Sequence, residues 1–291
     1  MVTPPVPDIT LPAPGAFDAH THMDATDVPV ESLLDAARAA GIYRVVNVGC
    51  DIPSSRWAVS AASSYPEVYA AVAIHPNDIV PRGDDDPSAA PARGTSPGPM
   101  DPDSPEGAGV LAEIERLAAH PRTVAVGETG LDYHWHDTPP ELQRDWFRAH
   151  VEIARRVGKP VMIHDRQAHD DVLSILAEYA PWPPYSVIFH CFSGDAAMAA
   201  VCAENGYVMS FAGNVTFKNA ASLREAALVA PADLMLAETD APYLTPVPHR
   251  GKRNSPAMTA YTIRFLAELK DLDTADFCAS LQATGARVFA W

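Results

Sequence analysis

Histidines and carboxylates that follow apolar runs are the residues in this sequence best placed to do chemistry. The first run ends in Asp18-Ala19-His20-Thr21-His22. Side chains two residues apart on a strand point the same way, so His20 and His22 would lie side by side. Imidazoles with carboxylates are ligands for zinc, manganese, iron or nickel. Similar positions follow other apolar runs, at His75, Glu128, His164, His190, Glu238 and Asp240.

The number of these residues predicts a metal centre with more than one ion. A lone histidine after a strand is more often structural. Several histidines and carboxylates at one edge of a fold would instead repel one another, or be costly to desolvate, without cations. Five or six ligands exceed the three or four of a single zinc site. Two ions that share a carboxylate, about 3.5–4 Å apart, hold both the attacking and the leaving oxygen in phosphoryl displacement.

The elements that must position these residues follow a strand–helix rhythm. Short apolar runs predict eight buried parallel strands, at Ala16–His20, Tyr43–Gly49, Val68–His75, Thr123–Glu128, Pro160–His164, Ser186–His190, Tyr207–Phe211 and Leu234–Glu238. Helical patterns lie between and after them, such as Val30–Ala40, Pro139–Val157, Asp170–Tyr179, Ala196–Asn205, Ala220–Val229, Pro256–Leu269 and Thr274–Arg287.

Eight β/α units predict an α/β protein with a (β/α)8 TIM barrel, whose active site lies at the carboxyl ends of the strands. A doubly wound open sheet is the alternative, but no G-x-G-x-x-G follows the first strand. The barrel domain would span residues 15–291 after a Pro-rich extended leader at 1–14. A Pro/Gly/Asp-rich stretch at about 81–109 predicts a disordered surface insertion, with a domain linker as the alternative.

Composition narrows the class of protein further. The 291 residues carry 21 Lys and Arg against 37 Asp and Glu, a formal net charge of −16. This charge excludes a non-specific nucleic-acid coat but not an enzyme that meets phosphates through metal ions. The four cysteines show no metal or disulfide spacing, and neither a signal peptide nor a membrane span is evident. We expect a cytoplasmic monomer with no membrane association and no obligate protein partner.

The sequence resembles the TatD family of metal-dependent deoxyribonucleases, a branch of the amidohydrolase-like barrels. The resemblance covers about Phe17 to Phe289, and its motifs are 18–22 (DAHTH), 127–133 (GETGLDY), 163–166 (IHDR), 190–194 (HCFSG), 210–218 (SFAGNVTFK), 238–244 (ETDAPYL) and 249–254 (HRGKRN). One departure concerns the third strand, which is usually followed by Gly-x-His-Pro-His. Here it reads Ala73-Ile74-His75-Pro76-Asn77, so the second histidine is missing.

The resemblance implies a role for each matching residue. His20, His22, Glu128 and Asp240 would hold the first of two divalent ions, which could be Mg²⁺, Mn²⁺ or Zn²⁺. Glu128 would bridge to the second ion, held also by His164 and His190. Asp240 would take a proton from the attacking water, and Glu238, on the same side of the strand, would share in catalysis. His75, Arg166 and Arg250 would contact the substrate.

The implied function is metal-dependent phosphodiester hydrolysis. An acidic protein would repel long duplex, so we expect a 3′–5′ exodeoxyribonuclease acting on the 3′ ends of single-stranded or frayed DNA, or of RNA. Aromatic side chains could stack on bases or pack within loops, and the candidates are Tyr133, Trp135, Phe192 and Tyr243. One alternative is hydrolysis of a small ester, lactone, cyclic amide or phosphotriester by the same ligands. Another is a non-catalytic binding protein, which would show a broken ligand set.

Overall fold

All eight predicted strands are present in the computed structural model, which describes residues 8–79, 100–135 and 138–291. The strands are β1 Ala16–Thr21, β2 Ile42–Gly49, β3 Val68–Val72, β4 Thr123–Asp132, β5 Val161–Arg166, β6 Val187–Phe189, β7 Val208–Phe211 and β8 Met235–Ala237. The helices are α1 Val30–Ala39, α2 Ile52–Ser64, α3 Pro105–Ala118, α4 Pro140–Val157, α5 His169–Glu178, α6 Ala196–Glu204, α7 Ala221–Val229, α8 Thr259–Leu269 and α9 Thr274–Phe289.

The strands form one parallel sheet in the order β1 to β8, which confirms the predicted barrel. A parallel bridge between Thr21 and Ala241 brings the end of β1 to the segment after β8. The His22 amide donates to the Ala241 carbonyl at 2.8 Å, which continues this contact. A doubly wound sheet would reverse its strand order near the middle. The sequential order therefore excludes that alternative.

Local sequence signals set the ends of the helices that frame the centre. Asp51 caps α2 by accepting a hydrogen bond from the Ser54 amide at 2.8 Å, as small polar residues do at helix starts. Helix α4 has Pro140 in its first turn and is capped after Val157 by Gly158, whose φ of 67° suits a residue without a side chain. These caps fix where α2 begins, directly after β2, and where α4 ends, directly before β5.

Strand β4 extends beyond the predicted Thr123–Glu128 and ends at Asp132. Its last residues pair with β5, Gly130 opposite His164 and Asp132 opposite Arg166. All ten residues of β4 are buried. This extension places Asp132 beside β5, where its Oδ2 lies 3.0 Å from His164 Nε2.

The predicted leader and insertion are only partly covered by the described residues. Residues 8–14 follow the barrel wall, where the buried Leu11 donates its amide to the Ala40 carbonyl at 2.9 Å. Residues 105–109, expected in the insertion, instead begin α3, which Ser104 caps by accepting from the Gly107 amide. Residues 81–99 of the predicted insertion lie outside the described residues.

Candidate metal centre

The six predicted ligands meet at the carboxyl ends of the strands. His20 and His22 come from the end of β1, Glu128 from β4 and His164 from β5. His190 follows β6, and Asp240 lies three residues after β8. Burial is high throughout, with His20 fully buried and Asp240 keeping 17% of its side chain exposed. Residues distant in sequence are therefore gathered into one cluster at the barrel mouth.

One half of the cluster surrounds Glu128 Oε1. This atom lies 3.7 Å from His20 Nε2 and 3.6 Å from His22 Nε2. The two Nε2 atoms are 3.1 Å apart, and Asp240 Oδ1 is 3.8 Å from His20 and 3.5 Å from His22. Neighbouring ligands on a tetrahedral ion with bonds of about 2.0 Å are about 3.3 Å apart. Each carboxylate oxygen thus lies at ligand spacing from both imidazoles, and His20, His22 and Asp240 form a cluster that could hold one ion.

The other half of the cluster surrounds Glu128 Oε2. His190 Nε2 lies 2.7 Å from this oxygen and His164 Nδ1 lies 3.3 Å from it. The two oxygens of one carboxylate therefore face two different pairs of imidazoles. This is the arrangement expected of a carboxylate shared by two ions.

The ring nitrogens that point away from Glu128 have partners of their own. His22 Nδ1 donates to the Val48 carbonyl at 2.9 Å. His190 Nδ1 lies 3.1 Å from Glu238 Oε1, and His164 Nε2 lies 3.0 Å from Asp132 Oδ2. Such partners orient metal-binding histidines and set their tautomers. Because a carbonyl can only accept, a neutral His22 directs the lone pair of Nε2 toward Glu128 and Asp240.

The electrostatics of the cluster favour positive charge at its centre, either as protons on histidines or as metal ions. Burial alone would lower the pKa of His22, but the Asp240 hydrogen bond and the Glu128 charge outweigh it and raise that pKa to about 9. Burial likewise opposes the charge of His190, yet Glu128 and Glu238 hold its pKa well above the ordinary value. Without a metal the site would therefore draw protons onto His22 and His190, whereas burial and the charge of His190 lower the pKa of His20. Divalent cations fit the same donors and replace those protons.

Glu238 and Asp240 contact different histidines of the centre, and the strand alternation behind the expectation of a shared side does not extend to Asp240. Strand β8 ends at Ala237, and Asp240 has a φ of 53°, a left-handed conformation that is costly for a residue with a side chain. Glu238 is fully buried and accepts from the Cys191 amide at 2.8 Å as well as contacting His190. Glu238 therefore positions His190 instead of facing the mouth with Asp240.

The predicted substrate contacts lie around the centre. The His75 ring stands 4.4 Å from the His164 ring, and its Nδ1 accepts from the Asn77 amide at 3.1 Å. Burial, together with the charge of His164, lowers the pKa of His75 to about 3, so its ring is neutral and presents Nε2–H as a donor. His75, Glu128 and His164 also form a cluster that could hold an ion.

Exposed cations and aromatic side chains border the mouth. Arg166 and Arg250 are exposed, the first 5.8 Å from the Trp135 ring centre and the second 4.3 Å from that of Phe217. Trp135 is 52% exposed and Tyr243 60% exposed. Phe192 is instead 1% exposed and packs against Phe189 and Phe211. The prediction that Phe192 is a stacking candidate is therefore wrong, while Tyr133 is half-buried with its hydroxyl donating to Asp171.

Sequence reasoning assigned no role to several residues that support the centre. Asp18 is buried behind His20 and accepts from the Thr239 amide at 2.8 Å, which ties β1 to the segment after β8. Asn254 is buried and donates to the Thr239 carbonyl at 2.9 Å. Cys50 directs its thiol at Glu128 Oε1 from 3.4 Å. Asp18 and Asn254 lie within the quoted motifs, whereas nothing in the sequence marked Cys50.

A barrel of this kind, with a histidine and carboxylate centre at its mouth, defines a metal-dependent hydrolase. The family model described as TatD related DNase matches residues 17–290, and the chain belongs to this family. An uncharacterized metal-dependent hydrolase TatD from Mycobacterium tuberculosis is 46% identical over 87% of this chain and 89% of its own length. The uncharacterized metal-dependent hydrolase YabD of Bacillus subtilis is 36% identical over 94% of this chain and 98% of its own.

Solved structures share the fold. The crystal structure of YJJV, a TatD homolog from Escherichia coli K12, superposes with a TM-score of 0.79 at 24% identity, covering 95% of this chain and 98% of that one. A phosphotriesterase homology protein from Escherichia coli, with phosphate in its active site, gives a TM-score of 0.59 at 13% identity, over 94% and 98% of the two chains. Within the described residues, no helix is long and apolar enough to cross a membrane.

Proposed function

We propose that the protein is a two-metal phosphodiesterase that shortens single-stranded or frayed DNA from its 3′ end, with RNA as a second candidate strand. The observation that carries the proposal is the position of Glu128, whose two oxygens face two separate pairs of imidazoles. His20, His22, Glu128 and Asp240 would hold one ion, and Glu128, His164 and His190 the other. Mg²⁺, Mn²⁺ or Zn²⁺ at these positions would lower the pKa of water and offset phosphate charge.

Asp240 is the proposed general base. Its side chain is 17% exposed, whereas that of Glu128 is 6% exposed, so Asp240 borders the space open to substrate. The Asp240 amide donates to the His20 carbonyl at 2.9 Å, which holds its backbone beside the centre. A base must reach the proton that it removes, and this carboxylate stands at the boundary between the cluster and the open mouth.

The surroundings of the mouth support a single-stranded substrate. The neutral His75 ring presents a donor, and the exposed Arg166 and Arg250 could bind phosphate oxygens. Trp135 and Tyr243 offer exposed aromatic faces on which unpaired bases can stack. The net charge of −16 would disfavour long duplex. A chain that completes its own ligand set needs no partner subunit for this activity, so we propose that it acts as a monomer.

A strand carrying a 5′ label tests the activity and its direction. With Mn²⁺ or Mg²⁺ we expect a ladder of products that shorten stepwise from the 3′ end, while a circular single strand stays intact. The Asp240→Asn variant keeps the shape of the side chain and should lose turnover, as should wild-type protein in EDTA. A folded, metal-loaded protein that cleaves neither DNA nor RNA would contradict the proposal. A panel of phosphotriesters, lactones, esters and cyclic amides would then test the alternative substrates.

A further inference from the structure

A thiol borders the metal centre on its β2 side. Cys50 Sγ lies 3.4 Å from Glu128 Oε1, the oxygen that faces His20 and His22, and 3.9 Å from His22 Nδ1, the nitrogen that donates to Val48. His22, Cys50 and Glu128 make up one of the clusters in the described residues that could hold a metal ion. The four cysteines all lie in the described residues, and Cys50 is the one that belongs to such a cluster.

The backbone holds this thiol in place. The Cys50 amide donates to Ser54 Oγ at 2.9 Å, and the Cys50 carbonyl accepts from the His75 amide at 2.8 Å. The next residue, Asp51, caps α2. Cys50 is therefore fixed between the end of β2, the start of α2 and the segment that carries His75.

The spacing suits a sulfur and an oxygen on one ion. With a zinc–sulfur bond of about 2.3 Å and a zinc–oxygen bond of about 2.0 Å, tetrahedral ligands are about 3.5 Å apart. The observed distance from Cys50 Sγ to Glu128 Oε1 is 3.4 Å. Thiolate is a soft ligand that selects zinc-like ions, whereas Mg²⁺ and Mn²⁺ prefer oxygen.

We propose that Cys50 is a sulfur ligand for thiophilic divalent ions, Zn²⁺ and Cd²⁺, at the edge of the centre formed by His22 and Glu128. On binding, a sulfur–metal bond forms, the S–H bond breaks and the proton passes to the buffer, with no change of oxidation state. Mg²⁺ and Mn²⁺ leave the thiol protonated, as a donor to Glu128. The centre thus distinguishes ions by softness. This inference rests on the metal centre of the proposed function but not on its nuclease activity.

Titration of metal-free protein with Cd²⁺ tests the proposal directly. We expect a thiolate-to-metal charge-transfer absorption in the ultraviolet that saturates at one thiolate per chain. The Cys50→Ser variant should lose this absorption and bind Cd²⁺ at least 10–100-fold more weakly, the loss typical when a metal ligand loses even its outer partner. Its affinity for Mn²⁺ should be unchanged. X-ray absorption of the Zn²⁺-loaded protein should show a sulfur neighbour at about 2.3 Å.

Matched variants separate Cys50 from the other thiols. Cys191→Ser lies near the centre, and Cys202→Ser is buried in the core; both should keep the full absorption. Cys50→Ala, checked by thermal unfolding, provides a second replacement if the serine disturbs folding. The proposal is wrong if Cd²⁺ binds the wild type without the absorption, or if the absorption persists in both Cys50 variants. Absence of any Cd²⁺ binding would overturn the two-metal centre as well, whereas binding without sulfur would leave the nuclease proposal standing.

Discussion

His190 lies between two carboxylates, with its Nε2 2.7 Å from Glu128 and its Nδ1 3.1 Å from Glu238. One nitrogen faces the centre, and the other is held by a fully buried side chain. The carboxylate of Glu238 thereby sets which nitrogen carries the proton and how the ring is turned. Glu238 therefore supports the centre through His190 from a fully buried position.

Replacing Glu238 should weaken metal binding through His190. We expect Glu238→Ala to lower the affinity for one of two Mn²⁺ ions by about 10–100-fold, since the ring loses its orienting partner. Glu238→Gln keeps an oxygen that can accept from Nδ1 and should restore much of that affinity. Calorimetric titration with Mn²⁺ checks both variants. Equal losses in the two would argue that bulk or charge matters at this position, not the hydrogen bond.

Replacing Glu128 should change the number of ions bound. The wild type should bind two Mn²⁺ ions per chain, because each oxygen of Glu128 serves one half of the cluster. Glu128→Gln retains a single carbonyl oxygen, so we expect no more than one tightly bound ion. Metal analysis after equilibrium dialysis measures the ratio, and retention of two ions by the variant would contradict the shared carboxylate.

Metal binding should release protons and strengthen as the pH rises. Because the pKa of His22 in the metal-free cluster is about 9, the ring is protonated at pH 7 and must lose that proton to bind an ion. Release of the His22 proton should raise the apparent affinity by up to about tenfold per pH unit below pH 9, and the raised pKa of His190 should add to this dependence. Calorimetry in two buffers of different ionisation enthalpy counts the protons. Heats that do not depend on the buffer would contradict this displacement.

Loss of a mouth arginine should weaken substrate binding more than turnover. For Arg166→Ala and Arg250→Ala we expect a higher KM on single-stranded DNA with a similar kcat. Each lost phosphate contact should reduce the slope of log affinity against log salt by about 0.7. Arg148→Ala is the matched control, since Arg148 pairs with Glu178 on the outer helices. An Arg148 variant with the same defect would assign the effect to overall charge.

His150 should make stability depend on pH outside the metal centre. Its Nδ1 donates to the Trp146 carbonyl at 2.7 Å, and its Nε2 accepts from the Ile74 amide at 3.1 Å, so protonation would leave two donors facing each other. Burial lowers its pKa from 6.5 to about 4. The unfolded chain therefore binds more protons between these values, and stability falls as the pH drops through that window.

The His150→Gln variant isolates this contribution. An amide can keep both hydrogen bonds but does not titrate. The free energy of unfolding of the wild type should fall by up to about 3 kcal/mol more than that of the variant between pH 6.5 and pH 4, at about 1.4 kcal/mol per pKa unit. Urea unfolding at several pH values measures the difference. Parallel pH curves for the two proteins would show that His150 is not the group responsible.

The sequence by itself determined the barrel and the identity of the residues at its mouth. The alternation of apolar runs and helical patterns is a local feature of the sequence and predicts the strands and helices. The histidine or carboxylate that follows each apolar run is likewise identified from that run alone. In a parallel barrel all strand ends meet at one rim, so His20, Glu128 and His190 could be grouped before any coordinates were known.

Only the tertiary structure decided which way these side chains point and which partners they contact. Alternation placed Glu238 and Asp240 on one side, but β8 ends at Ala237 and the chain then turns through a positive φ at Asp240. Which nitrogen of His190 or His164 faces Glu128 depends on partners from other strands. The thiol of Cys50 likewise lies beside Glu128 only because the fold brings the end of β2 close to β4. Such contacts join residues far apart in the chain, and no local pattern encodes the distance between them.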